Sequence, residues 1–316
     1  MKMKALALSA VLLATASAQA DEIRYALWAQ PGEAQYEGAQ EFKRVVEENS
    51  DHTVTIFPGD QLGTPREVYA QMALGSTQML ASGDPGLKEI EYLALPYLMN
   101  GIDNYKKVLD TDFGKEWNER LTAERQVRML GFMPRSPRQI SANVVINSMG
   151  DLSGLKLRAP ERDYYVESLR ALGANPTPMA FAEVYTALQT GIVDGQENPI
   201  ETIYAQKFYE VQKGVAMVDY INKPAYVVIS DQFWQGLSEE DQALLQKAND
   251  ASTAKINELM PDQTKKYIAE MEAAGVTVTH PDKTPFMEAT QSVRDNLGKG
   301  VWGEDVYNQI VAIGKE

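Results

Sequence analysis

Residues 22–28 alternate apolar and polar, with Ile23, Tyr25 and Leu27 on one face, and predict a strand that ends before Pro31-Gly32. Residues 33–49 place Ala39, Phe42, Val45 and Val46 on one stripe, which predicts an amphipathic helix. Residues 53–57 predict a second strand closed by Pro58-Gly59-Asp60, and 66–74 a short helix with Gly75 as its stop. A third strand over 77–81 is halted by Gly83-Asp84-Pro85-Gly86. Strand, helix, strand, helix, strand is the order of parallel α/β winding.

The rhythm restarts further on. Residues 139–146 and 155–157 are strand-like, and helices over 164–172 and 183–190 end at Gly173 and Gly191. Ile192-Val193 reads as a strand and residues 194–199 as a loop. Two α/β units of similar size follow, with no repeat and no low-complexity linker, so several crossings should join them. From Ser238, which forms a capping box with Asp241, a helical pattern runs to about residue 274 and stops at Gly275. Leu244, Leu245, Ala248, Ile256, Leu259 and Met260 give its apolar face, and Pro261 predicts a kink. At 1.5 Å per residue it is about 50 Å long, so it stands alone or bridges two lobes.

The 316 residues carry 30 Lys+Arg against 44 Asp+Glu, a net charge of −14, which repels phosphate backbones and argues against nucleic acid as a partner. With no Cys and two His, His52 and His280, thiolate chemistry and His-rich metal sites are excluded. Residues 1–20 read as a signal peptide: Lys2 and Lys4, an apolar run over 5–14, then Ala18-Gln19-Ala20. That run spans about 15 Å as a helix, half a bilayer core, so cleavage and export are expected over a retained anchor. No later segment approaches eighteen continuous apolar residues, and the mature chain is expected to be soluble.

Catalytic constellations are missing. There is no G-x-S-x-G, no H-E-x-x-H and no P-loop. Gly298 to Gly303 fits G-x-G-x-x-G, but only 13 residues follow it and a helical segment precedes it, which reads as a glycine-rich turn between C-terminal helices. His52 and His280 read as solvated loop residues, and Glu47-Glu48 and Glu239-Glu240 as solvated helix charge. Nothing in the chain argues for an enzyme, a cofactor or a metal.

Residues 138–213 hold the informative pattern. Arg158 ends a short strand just before Pro160. The segments 172–185, 188–199 (through Asp194-Gly195-Gln196-Glu197-Asn198-Pro199) and 207–213 (Lys-Phe-Tyr-Glu-Val-Gln-Lys) follow. Taken alone, each Arg reads as an ion-pair residue, Asn198 as a turn residue before Pro199 and Phe181 as core. Together, and with Gln61-Leu62-Gly63 and Leu95-Pro96-Tyr97, they resemble the DctP-like solute-binding proteins of tripartite ATP-independent periplasmic (TRAP) transporters, over nearly the whole mature chain.

That resemblance implies an α/β, two-lobed periplasmic-binding-protein fold with hinge strands and a long kinked helix spanning both lobes. Lobe 1 would take residues 21–135 and 224–263, and lobe 2 residues 136–223 and 264–316. It implies a periplasmic monomer that captures a small organic acid, such as a C4-dicarboxylate, hydroxy acid or sugar acid, and passes it to transporter membrane subunits. Arg158 matches the family Arg that forks onto the ligand carboxylate, a geometry that the point charge of Lys does not reproduce. Arg138 matches a second Arg on the acid group, Asn198 an amide donor and Phe181 an aromatic pocket wall. Trp28 and Asp84 end strands where relatives touch ligand. Glu161 would accept ligand hydroxyls or repel a second acid group, and Arg135 is either a third cation or a solvated loop residue. Trp28, Pro65 and Gly83 stand where sialic-acid-binding relatives carry polar contacts, which suggests a smaller or flatter ligand; the segment Met217 to Tyr220 lacks a His common there. A sulfonate receptor of the same class, or a sensor presenting ligand to a membrane signalling protein, is the alternative.

Overall fold

The computed structural model describes residues 21–316; the leader expected at 1–20 lies outside the described residues. Eleven strands are described: β1 Glu22–Leu27, β2 Thr53–Phe57, β3 Met79–Ser82, β4 Val127–Met133, β5 Arg138–Ala142, β6 Lys156–Ala159, β7 Asn175–Pro178, β8 Gly195–Pro199, β9 Gly214–Ile221, β10 Ala225–Ser230 and β11 Thr277–Thr279. They form two sheets, ordered β2-β1-β3-β10-β4 and β11-β9-β5-β8-β6-β7. The expected parallel winding holds for β1 with β2 and β3, and for β6 with β7 and β8. Strand β10 runs against β3 and β4, and β5 against β8 and β9, because both follow a crossing from the other sheet.

The strongest sequence patterns recur as packing. Helix Ala34–Asn49 buries Ala39, Phe42, Val45 and Val46, the predicted stripe. Helix Glu239–Ala273 runs through Pro261 and buries Leu245, Ala248 and Ile256. It packs on helix Ala34–Asn49 and β4, and also on helix Ile200–Ala205 and β11, so it touches layers of both sheets. Its start is capped by Ser238 Oγ, which accepts from the Asp241 N–H at 3.1 Å.

Four sequence expectations are corrected. Residues 194–199 are not a loop, since β8 occupies them and all five of its residues are buried; Ile192-Val193 lies in the turn before it. The Gln-Glu-Asn run hides a strand that is buried on both faces. Strand β5 stops at Ala142, short of residue 146. His52 is buried, with Nε2 3.3 Å from Asp241 Oδ1 and Nδ1 accepting from the Asp21 N–H at 3.2 Å; His280 is exposed as expected. Gly298 lies inside helix Thr284–Trp302, and Gly303 alone makes the turn into helix Glu304–Gly314. That last helix packs on helix Ile102–Leu109, where Asn104 Nδ2 donates to the Ile313 carbonyl at 2.7 Å, so the end of the chain leans on the first sheet's helices.

The chain crosses between the sheets at residues 134–137 and 222–224. In the first crossing the Pro134 carbonyl accepts from Gln35 Nε2 at 3.0 Å, and the Ser136 N–H donates to Glu201 Oε1 at 3.2 Å. In the second, Tyr105 Oη donates to the Asn222 carbonyl at 2.8 Å, and the buried Lys223 donates from Nζ to Tyr164 Oη at 3.0 Å. Glu33, which precedes helix Ala34–Asn49, is close enough to the first crossing for Glu201 and Arg135 to act on its carboxyl. Burial pushes that carboxyl up to about 7 and the Glu201 charge adds to the rise, while a backbone hydrogen bond from Gln30 and the Arg135 charge oppose it.

Two outcomes follow from this packing. A Cβ at Gly195 would lie 2.3 Å from the Ser141 carbonyl oxygen. Backbone in mid-sheet has no room to yield, so Gly195→Ala is expected to destabilise by about 2–3 kcal/mol. Gly236→Ala, where nothing lies within 4 Å, should change stability by no more than about 0.5 kcal/mol; denaturant midpoints of the two variants check this. A carboxyl with a raised folded pKa favours folding below its unfolded value, here 4.5, and that contribution is lost as pH rises through about 7. Glu33→Gln should therefore be more stable than wild type at pH 8, by about 1–2 kcal/mol after allowance for solvent contact, with the gap closing towards pH 4.5. Melting temperatures across that range measure it, and a pH-independent difference would contradict it.

Candidate ligand-binding site

The ends of β1, β3, β6 and β8 and the start of β5 surround the first crossing, and their side chains bring three arginines together. Strand β5 lies against β8 with Arg138 opposite Pro199, which puts Glu197 diagonally across on the same face. Arg138 donates from Nε and Nη2 to the two carboxylate oxygens of Glu197, the Nη2 bond at 2.7 Å. Nη2 also reaches the Glu197 carbonyl at 2.8 Å and Asn198 Oδ1 at 3.1 Å. The guanidinium lies 5.0 Å from the Tyr165 ring centroid. Burial alone would lower the pKa of Arg138, and the fully buried Glu197 carboxylate overrides it, so the side chain is held well above its ordinary value.

Arg158, on β6, is 3% exposed. Its Nε and Nη2 both donate to the Met179 carbonyl, at 3.1 and 2.8 Å. One neutral oxygen thus fills the side of the guanidinium, and the end formed by Nη1 and the second Nη2 hydrogen is left over. No carboxylate of the described residues lies within 4 Å of it. Burial lowers its pKa; the Glu197 charge opposes that and the Arg138 charge reinforces it. The Phe181 ring, 42% exposed, stands 5.8 Å from the Arg158 guanidinium carbon and edge-on to Phe208. At that exposure Phe181 is not the core residue that it reads as when taken alone.

Arg135 takes a third position. Its guanidinium covers the Trp28 ring at 4.9 Å, Nη2 donates to Thr202 Oγ1 at 2.9 Å, and Nε stands 3.8 Å from Glu201 Oε1. A Cβ at Gly83 would come within 3.9 Å of Nη1, so the side chain reaches the end of β3. Of the two expectations for Arg135, the solvated loop residue is the one set aside: its side chain is largely buried, and burial lowers its pKa with Glu201 opposing. The Arg138 charge acts on both Arg135 and Arg158, so the three form one group.

The remaining candidates lie apart. Asp84 accepts from Gly86 N–H at 2.8 Å and pairs with Arg162 at 3.3 Å; Arg162 also donates to Glu91 at 2.9 Å and to the backbone carbonyl of the exposed Glu161 at 3.4 Å. Asn198 keeps one Nδ2 hydrogen beyond its bond to Gln196 Oε1. Sequence reasoning missed Glu197, Glu201 and Thr202. The usable signal was the acidic pair flanking Asn198-Pro199 in a chain segment that carries no surface-helix pattern.

Comparison with known proteins follows from this geometry. Residues 25–299 match the family described as bacterial extracellular solute-binding protein, family 7 (DctP). The chain is 32% identical over 313 residues to the sialic acid-binding periplasmic protein SiaP of Vibrio cholerae, covering 96% of this chain and 97% of that one. It is 31% identical over 313 residues to the C4-dicarboxylate-binding periplasmic protein DctP of Rhodobacter capsulatus, covering 96% and 94%. Among solved structures it superposes with TM-score 0.80 and 27% identity on a TRAP periplasmic solute-binding protein of Roseobacter denitrificans with bound L-galactonate, covering 94% and 99%. The match over most of the chain and the two-sheet architecture agree: the chain belongs to the DctP family of extracellular solute-binding proteins, family 7, and is a TRAP solute-binding protein.

Proposed function

We propose that this protein is a periplasmic receptor that captures a small organic acid with Arg158 and delivers it to the membrane subunits of a TRAP-type secondary transporter. One observation carries the reading. Of the three clustered arginines, Arg135 and Arg138 have a carboxylate within 4 Å, and Arg158, buried, has none among the described residues. A desolvated cation without a counter-ion is unstable relative to one that acquires it, and the free end of the guanidinium accepts a carboxylate bidentately. The relatives named for their ligands take acids: sialic acid, C4-dicarboxylate and L-galactonate.

Asn198, oriented by Arg138, offers its free Nδ2 hydrogen, Phe181 covers one side of the ligand and Trp28 the other. Arg138 acts mainly by fixing Asn198, since Glu197 occupies most of its donors. Asp84 and Glu161 take no part, because Arg162 holds the one and the other faces solvent. Residues 21–135 with 224–263 form one lobe and 136–223 with 264–316 the other, with the last helix riding on the first; closure about the two crossings and the long helix buries the ligand. Export after Ala20 places the receptor in the periplasm, where it works as a monomer. Among the described residues no helix is long and apolar enough to cross a membrane.

A thermal-shift screen of residues 21–316 against organic acids, sulfonates and neutral sugars tests the class. Ligand at about a thousand times its Kd stabilises by about 4 kcal/mol, several degrees for a chain of this size. Arg158→Ala should weaken binding by about 2–5 kcal/mol, roughly 30-fold or more, while the unliganded melting temperature stays near wild type. Isothermal titration that finds near-wild-type affinity in Arg158→Ala, or shifts with neutral sugars alone, would overturn the assignment.

A further inference from the structure

Two buried polar atoms next to the arginine group have no hydrogen-bond partner: Nε of Arg135, a donor, and Oε2 of Glu201, an acceptor. The two side chains face each other, but the nearest approach, Nε to Oε1, is 3.8 Å, beyond hydrogen-bond reach. Glu201 Oε1 accepts from the Ser136 N–H, Arg135 Nη2 donates to Thr202 Oγ1, and the guanidinium face lies on Trp28. The site is therefore preset with one donor and one acceptor side by side, each desolvated and unsatisfied, a state that is costly until something fills it.

We propose that Arg135 and Glu201 form a hydroxyl-reading subsite, so that the ligand is a monocarboxylic acid bearing hydroxyl groups and not a dicarboxylic acid. The inference rests on Arg158 as the carboxylate anchor. A hydroxyl group accepts one hydrogen bond and donates another, which is what Nε–H and Oε2 together require. A second carboxylate brings no proton for Glu201 and sets its charge against that carboxylate. The charge count agrees. Below about pH 7, where the Glu33 carboxyl near Arg135 stays protonated, Arg135, Arg138 and Arg158 supply three positive charges and Glu197 and Glu201 two negative ones, so one ligand carboxylate neutralises the group and a second leaves buried negative charge. Glu201 sets specificity here by refusing one class of ligand as well as by accepting another.

The test is titration calorimetry on residues 21–316 with acids paired by carbon skeleton: gluconate with glucarate, galactonate with galactarate, threonate with tartrate, and succinate as the hydroxyl-free dicarboxylate. Wild type should bind at least one monocarboxylate 10-fold or more tighter than its paired dicarboxylate, and succinate more weakly than either. Glu201→Gln should bring that pair within threefold, by weakening the first and strengthening the second. A dicarboxylate bound as tightly as its partner by wild type, failure to bind any hydroxy acid, or an unchanged ratio in Glu201→Gln overturns the subsite. The wild-type ratio needs no variant and decides even if Glu201→Gln does not fold. Arg158→Ala separates the two readings: if it binds normally the anchor fails, and if it weakens binding roughly 30-fold or more while the ratios go wrong only the subsite fails.

Discussion

Three guanidinium groups buried between two sheets impose the constraint on which this structure depends. A charge taken out of water is tolerable only with a partner, and removing one partner of such a pair is far more damaging than never having made it. Two of the three have a counter-charge from the chain itself, Arg138 in Glu197 on the neighbouring strand and Arg135, at 3.8 Å and without a hydrogen bond, in Glu201 at the head of the next helix. Both partners come from the nine residues around Asn198, so β8 must sit between β5 and β6, and its small first residue, Gly195, must pass close to the Ser141 carbonyl. Arg158 has only the Met179 carbonyl, a neutral acceptor that orients the guanidinium without neutralising it.

The crossings give the same arrangement a mechanical side. Arg135 belongs to the segment that links β4 to β5, its face lies on Trp28 from the first sheet, and its polar partners, Glu201 and Thr202, belong to the second. Lys223 in the other crossing is likewise held by Tyr164 across the junction.

What the sequence made legible divides along the same physical line. Periodic apolar burial was visible: the stripe of helix Ala34–Asn49, the alternation of β1 and the long helix from Ser238 all leave a repeating mark on the chain. Strand β8 left none, because its buried residues are polar and are satisfied by one another, which composition and period register as a loop. His52 was misjudged for a similar reason: its neighbours in sequence are polar, but it is buried against Asp241, nearly 190 positions away. At the site, Arg138 meets Asn198 and Arg158 meets Phe181, all four named from the family resemblance. The pairings that set their roles, Arg138 with Glu197 and Arg135 with Glu201, are long-range contacts between charges and have no signature in one chain.

An anion receptor with a net charge of −14 looks self-defeating until distances are considered. Surface charges more than a Debye length away, about 8 Å at physiological salt, are largely screened, whereas a group inside the junction acts through low dielectric. Many surface carboxylates are also tied to basic neighbours, as Glu41 and Glu48 are to Arg44 and Glu89 is to Arg120. The acidic exterior therefore acts on the approach of an anion, slowing its encounter most at low salt, and on the proposed reading the local balance of buried arginines against buried glutamates governs how tightly it is held.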